Sequence, residues 1–232
     1  MNINPQKKQY SIVLIGEFNP AMFQPEWFLR NNIISKEDAD FARSTTGSTP
    51  LVVTPQITLF GTPQLKIKVE MKRFEIIADK EPYISAKDFI YNTFSALPGY
   101  TISAYGFNYS AHYGVENNEI YQRIGDNLAP KQYWESLLGD DMTGLERKGG
   151  LATIQMQKEK NGNQGRLTVI LQPSAIIKPG VFITSNDHTT VSSDDMMAET
   201  VLDEINRRFE KSFEEMKVIQ EDLIKRAVEN CE

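Results

Sequence analysis

The chain has 232 residues, 40% hydrophobic and 24% charged, a balance that belongs to a folded globular protein rather than a disordered one. No run approaches the roughly 20 apolar residues of a membrane helix, and the single cysteine, Cys231, excludes both an intrachain disulfide framework and a cysteine-based zinc site. The net charge of −6 resides in the tail, where twelve acids face six bases from Asp194 to Glu232 while residues 1–193 balance. The chain therefore lacks the global field of a nucleic-acid binder, and nucleic acid is not expected as a direct ligand.

Tyr10 to Phe18 (YSIVLIGEF) is rich in β-branched residues and stops at Asn19-Pro20. It reads as a central strand, not as the apolar segment of a signal peptide, which points with the lone cysteine to a reducing, cytoplasmic setting. Pro25 opens a helical stretch carrying Trp27, Phe28, Ile33 and Ile34. Leu51 to Phe60 is extended but interrupted by Pro55. Leu65, Ile67, Val69 and Met71 alternate with polar residues, the period of a strand with one wet face, and Arg73 to Ala78 is its hairpin partner. Ser85 and Asp88 have the spacing of a capping box before a helix that ends at Pro98-Gly99.

Tyr100 to Tyr113 is predicted as a long strand, followed by short helices at Asn118–Leu128 and Pro130–Leu138. Leu151–Lys158 and Arg166–Leu171 flank Asn161-Gly162-Asn163-Gln164-Gly165, a hairpin signal. Val181 to Ser185 is a further strand. Ser192 and Asp195 can cap a final helix free of Gly and Pro, with an apolar stripe through Met197, Val201, Ile205, Phe209, Phe213, Met216, Ile219, Leu223 and Ala227. Unbroken from 194 to 230, it would be about 55 Å long, more than the roughly 45 Å diameter of a compact sphere of this size. Either the helix breaks near Lys217 and folds back, or its end projects and meets a partner or a second copy through Met216, Ile219, Leu223 and Ala227, which is the leading expectation.

The element order is β-α-β-β-β-α, then β-α-α-β-β-β-α. Runs of consecutive strands favour an α+β fold, mostly antiparallel sheet with helices on one side. The expected organisation is one domain over 1–232, with pseudo-repeat halves 1–98 and 99–193 and a long helix over 193–230.

Few residues carry the pattern of chemistry. His112 and His188 fall near expected strand ends, and with Asp187 and Glu17 they form the candidate constellation for a metal-dependent or acid–base enzyme. Glu17 follows an apolar strand, where a buried carboxylate would be notable; at a strand end it is simply solvated. The histidines lack HExxH or HxH spacing and equally suit hydrogen-bonded surface positions, so neither a metal nor a cofactor is expected. Asp140-Asp141 and Asp194-Asp195 sit after a helix end and at a helix start, where acids have structural roles. Tyr105, Phe107, Tyr109 and Tyr113 share a strand face, without the interleaved cations of a base-stacking platform.

Gly16-Glu17-Phe18-Asn19-Pro20 with Trp27, Arg73-Phe74-Glu75, Gly106-Phe107-Asn108, and Asn186-Asp187-His188 before a long helix with Phe209 resemble a sporadically distributed, uncharacterised prokaryotic protein family. The resemblance spans most of the chain and transfers no catalytic residues. Patchy distribution of that kind implies accessory genes such as phage-defence cassettes. The leading expectation is thus a non-catalytic interaction or adaptor subunit of a prokaryotic, antiviral-type assembly. The alternatives are the enzyme built on His112, His188, Asp187 and Glu17, and a small-ligand pocket between the sheet and the long helix.

Overall fold

A computed structural model describes residues 4–44, 49–138, 149–160, 164–192 and 195–229. Nine strands form one sheet in which every pairing is antiparallel, in the order β2-β3-β4-β5-β1-β6-β9-β8-β7. The first half supplies β1 (Lys7–Gly16), β2 (Val52–Val53), β3 (Ile57–Gly61), β4 (Leu65–Glu70) and β5 (Arg73–Ala78). The second supplies β6 (Ile102–Gly114), β7 (Ile154–Glu159), β8 (Gly165–Pro173) and β9 (Gly180–Thr190). Outward from the central β1–β6 pair, β5, β4 and β3 on one side answer β9, β8 and β7 on the other.

The helices are α1 (Pro25–Arg30), α2 (Lys36–Arg43), α3 (Ile84–Ser95), α4 (Asn118–Leu128), α5 (Glu135–Leu138) and α6 (Ala198–Glu229). Period-two burial places the core on one face of the sheet: Tyr10, Ile12 and Leu14 of β1, Phe74 and Ile76 of β5, and Tyr105, Phe107 and Tyr109 of β6 are fully buried. The opposite face carries Ser11, Asn108, Ser110, Thr184 and Asn186, joined across strands by side-chain hydrogen bonds. The fold is α+β, with an antiparallel sheet layered by helices on one face, as the alternation of the strands requires.

Several local expectations are corrected. The stretch after Pro25 is two helices, because Asn32 adopts a left-handed φ of 57° and Ser35 with Asp38 forms a capping box that starts α2. No capping box forms at Ser85: α3 begins one residue earlier, and the Ser85 hydroxyl donates to the Pro82 carbonyl. Residues 130–138 divide into a 3-10 turn and α5. β9 runs on to Thr190, so Asp187 and His188 lie inside a strand rather than after one. Asp140, Asp141 and Asp194 lie outside the described residues.

The expected overhang of the last helix does not occur. α6 is unbroken over 32 residues, about 48 Å, but it runs along β6, whose 13 residues extend about 43 Å. A body built on so long a strand is no sphere, and it covers the helix to its end. Met216, Ile224 and Ala227 are buried, while Ile219 and Leu223 are half-covered. α4 packs against the far half of α6, and Asn127 Nδ2 donates to the Ala227 carbonyl at 2.7 Å. No helix among the described residues is long and apolar enough to cross a membrane.

Candidate functional site

The side chains that α6 presses onto β9 are unusual for a core. On the helix side β9 presents Val181, Ile183, Ser185, Asp187 and Thr189, and α6 answers with Arg208, Ser212 and Gln220. Asp187 is only 5% exposed. A carboxylate so placed must be paired or neutral, and here it is paired. Arg208 Nη2 reaches its Oδ2 at 3.1 Å, the Ser212 hydroxyl donates to the same oxygen at 2.5 Å, and Lys160 Nζ forms an ion pair with Oδ1. Arg208 Nη1 also donates to Thr189 Oγ1 at 2.6 Å and to the Tyr105 hydroxyl at 3.0 Å. Lys160 Nζ shares Thr189 Oγ1 at 2.9 Å.

Local structure brings these groups together from distant sequence. Lys160 is carried in by the β7–β8 hairpin, closed by Lys160 N–H to the Gly165 carbonyl at 2.9 Å. Gly165 has φ 130°, and a side chain there would collide with the His188 carbonyl, so only glycine suits the turn. Arg208 and Ser212 lie four residues apart on one face of α6. The cluster floors a cleft of about 510 Å³ lined also by Lys158, Glu159, Leu167, Lys211, Glu215 and Met216.

Burial shapes the ionisation of the cluster. Burial holds the Lys160 ammonium below its ordinary range although Asp187 pulls the other way. The Tyr105 phenol is pushed up to about 12, chiefly by burial and against the nearby Arg208 charge. The Arg208 guanidinium is raised: burial opposes its charge, but Tyr105 and Asp187 outweigh that. On the cleft floor two cations thus share one carboxylate. Glu204 approaches Arg208 at 3.8 Å, and Glu215 approaches Lys211 at 3.7 Å. Lys158 has no ion-pair partner among the described residues.

A second polar clamp lies further along α6. Gln220 Nε2 donates to the Tyr109 carbonyl and to Ser185 Oγ, both at 2.9 Å, and its Oε1 accepts from the Tyr113 hydroxyl at 3.2 Å.

The four candidates His112, His188, Asp187 and Glu17 do not converge. Asp187 and His188 are neighbours in β9 and so point to opposite faces. His112 lies opposite Phe182 in the ladder, six residues along β9 from His188, a separation of roughly 20 Å. Its Nδ1 lies 2.9 Å from Ser174 Oγ. Burial lowers the affinity of both rings for a proton, helped by Lys7 at His112 and by Arg166 and Lys160 at His188. Glu17 lies beyond the end of β1 with its side chain 80% exposed, near Lys72. Among the described residues no group of three His, Cys, Asp or Glu is placed to hold a metal. The aromatic row from Tyr105 to Tyr113 is fully buried beneath the helices.

Sequence reading found Asp187 but not its partners. The buried face of α6 passes through Ile205, Phe209, Ser212, Met216, Gln220, Ile224 and Ala227; of the stripe read from the sequence, Val201, Ile205, Phe209, Met216 and Ala227 are buried, Phe213 and Leu223 pack at the margin, and Ile219 is half-covered. The signal was present: a serine and a glutamine fall on the 3–4 spacing of the core face. The chain matches no protein-family model, and no curated protein is significantly similar to it.

Proposed function

We propose that this is a non-catalytic binding protein whose ligand is a small oxyanion, a carboxylate- or phosphate-bearing molecule, held in the cleft between α6 and the β7–β8 hairpin. One observation carries the reading: two cations from different elements, Lys160 and Arg208, converge on a single buried carboxylate at the floor of an open cleft. Lys160 is incompletely compensated, as burial depresses its proton affinity despite the ion pair. An anion seated there gains charge-assisted hydrogen bonds from Lys160 and Lys158 without disturbing the Arg208–Asp187 pair.

Calorimetric titration with inorganic phosphate and with citrate tests this. The expected result is one saturable site per chain for at least one of them, weakened about tenfold or more by Lys160→Met, the loss of one charge-assisted bond. Absence of saturable binding for both, or affinity unchanged in a folded Lys160→Met protein, overturns the proposal.

A further inference from the structure

The two edges of the sheet are built differently. At one end β2 is two residues long and flanked by Pro50 and Pro55, a short and proline-blunted edge that resists further pairing. At the other end β7 has six residues, all exposed except the first. Its hydrogen bonding is set by register. Lys160 pairs with Gly165 through the N–H to carbonyl bond, and alternation along the β7–β8 ladder turns the backbone groups of Ile154, Met156 and Lys158 toward β8. The N–H and carbonyl groups of Gln155, Gln157 and Glu159 therefore point outward, and no strand among the described residues meets them.

Beside this free edge lies an apolar ledge. Trp134, Leu138 and Met156 are all exposed, Met156 by 68%. Trp134, Leu138, Leu151 and Ile154 line a hollow of about 310 Å³. A long, open edge flanked by exposed apolar side chains marks an association surface.

We infer that the β7 edge pairs with β7 of a second copy of this chain, antiparallel about a two-fold axis at Gln155, joining the two sheets into one. The side chains select this register. Gln155, whose backbone faces outward, sits opposite Gln155 of the second copy. On the helix side Ile154 faces Met156 of the second copy, and by symmetry Met156 faces Ile154, beside the apolar ledge of each chain. Lys158 and Glu159 fall at the two far ends of the pairing, so no like charges are opposed. The interface is isologous and closed, and it leaves the blunted β2 edges outward.

Light scattering coupled to size exclusion, on the full chain over a range of concentrations, reads this directly. The wild type is expected to be a dimer. Gln155→Pro should shift it to monomer while leaving the internal ladder intact, because the N–H it removes points away from β8. Met156→Lys, at an exposed side chain, should weaken the dimer at least tenfold without altering the fold. Hydrogen exchange should show the Gln155 and Gln157 amides protected in the dimer and open in either variant. A wild type that stays monomeric, a dimer that survives both substitutions, or outer β7 amides protected in a monomer overturns the inference.

Discussion

In the first half β5, and in the second β9, present opposite chemistry to the helices that cover them. Under α1 and α3 the first half is packed with rings: Phe74 lies 5.2 Å from Phe23 and 5.1 Å from Phe94, and Phe28 lies 4.9 Å from Phe89. Under α6 the second half places Asp187, Thr189 and Ser185 on the corresponding face of β9, met by Arg208, Ser212 and Gln220. Aromatic packing stabilises through area and shape. A buried ion cluster stabilises little relative to an apolar replacement, because desolvation offsets its attraction. The contrast teaches where to look for function: the first half holds the sheet together, and the second carries polar groups that stability alone does not call for.

The contrast can be broken first by cavity. Phe74→Ala removes a fully buried ring contacted by three others and should cost about 3–5 kcal/mol in chemical denaturation. Asp187→Ala should follow at about 3 kcal/mol, because it leaves the half-buried Lys160 and Arg208 without their buried carboxylate. The sharper experiment replaces the cluster together, as Asp187→Leu with Lys160→Met and Arg208→Leu. Stability is expected to recover most of the Asp187→Ala loss while anion binding is abolished. A triple variant that is no more stable than Asp187→Ala would make the cluster a structural requirement of α6 docking. Gln220→Ala should cost about 1–3 kcal/mol, since the Tyr113 hydroxyl and Ser185 lose a buried partner.

The smallest expected effect is acid sensitivity, and it too separates the halves. Both histidines lie in the second half, on β6 and β9, and burial lowers the pKa of each from 6.5. A depressed folded-state value means that their stabilising share is complete above pH 6.5 and is lost as pH falls through the folded values. In the first half the Asp79 carboxyl, where burial is outweighed by Gln9 and Lys66, is held below 3.8, so its share is lost only at lower pH. Melting temperature should therefore begin to fall just below pH 6.5, and His188→Gln should flatten that first decline.

Much of the fold was legible because it rests on local period. The alternation of Leu65, Ile67 and Val69 fixed both the strand and its wet face, and Asn118–Leu128 matches α4 to the residue. The candidate site was only half legible. Asp187 enters the sequence reading only as a partner for His112 and His188, with the strand ending at Ser185; in the structure β9 runs on to Thr190 and the sheet separates Asp187 from His188. Lys160 and Arg208 carry no local signal, since a lysine in a hairpin and an arginine on an acidic helix are ordinary surface residues until something covers them.

By itself the sequence determined the α+β class, the antiparallel run of strands, and the existence of one long, uninterrupted terminal helix. These follow from periodicity, turn chemistry and the absence of breakers, all properties of neighbouring residues. Only the tertiary structure decided that the helix lies along β6 rather than beyond the body. Only there does Ser212 join Phe213 against the sheet, and only there do Lys160 and Arg208 meet on Asp187. The reason is that a helix's buried face and a charge's partners are set by which distant element packs over them. A shift of one residue in a 3.6-residue turn rotates a side chain by about 100°, enough to exchange a solvated position for a buried one.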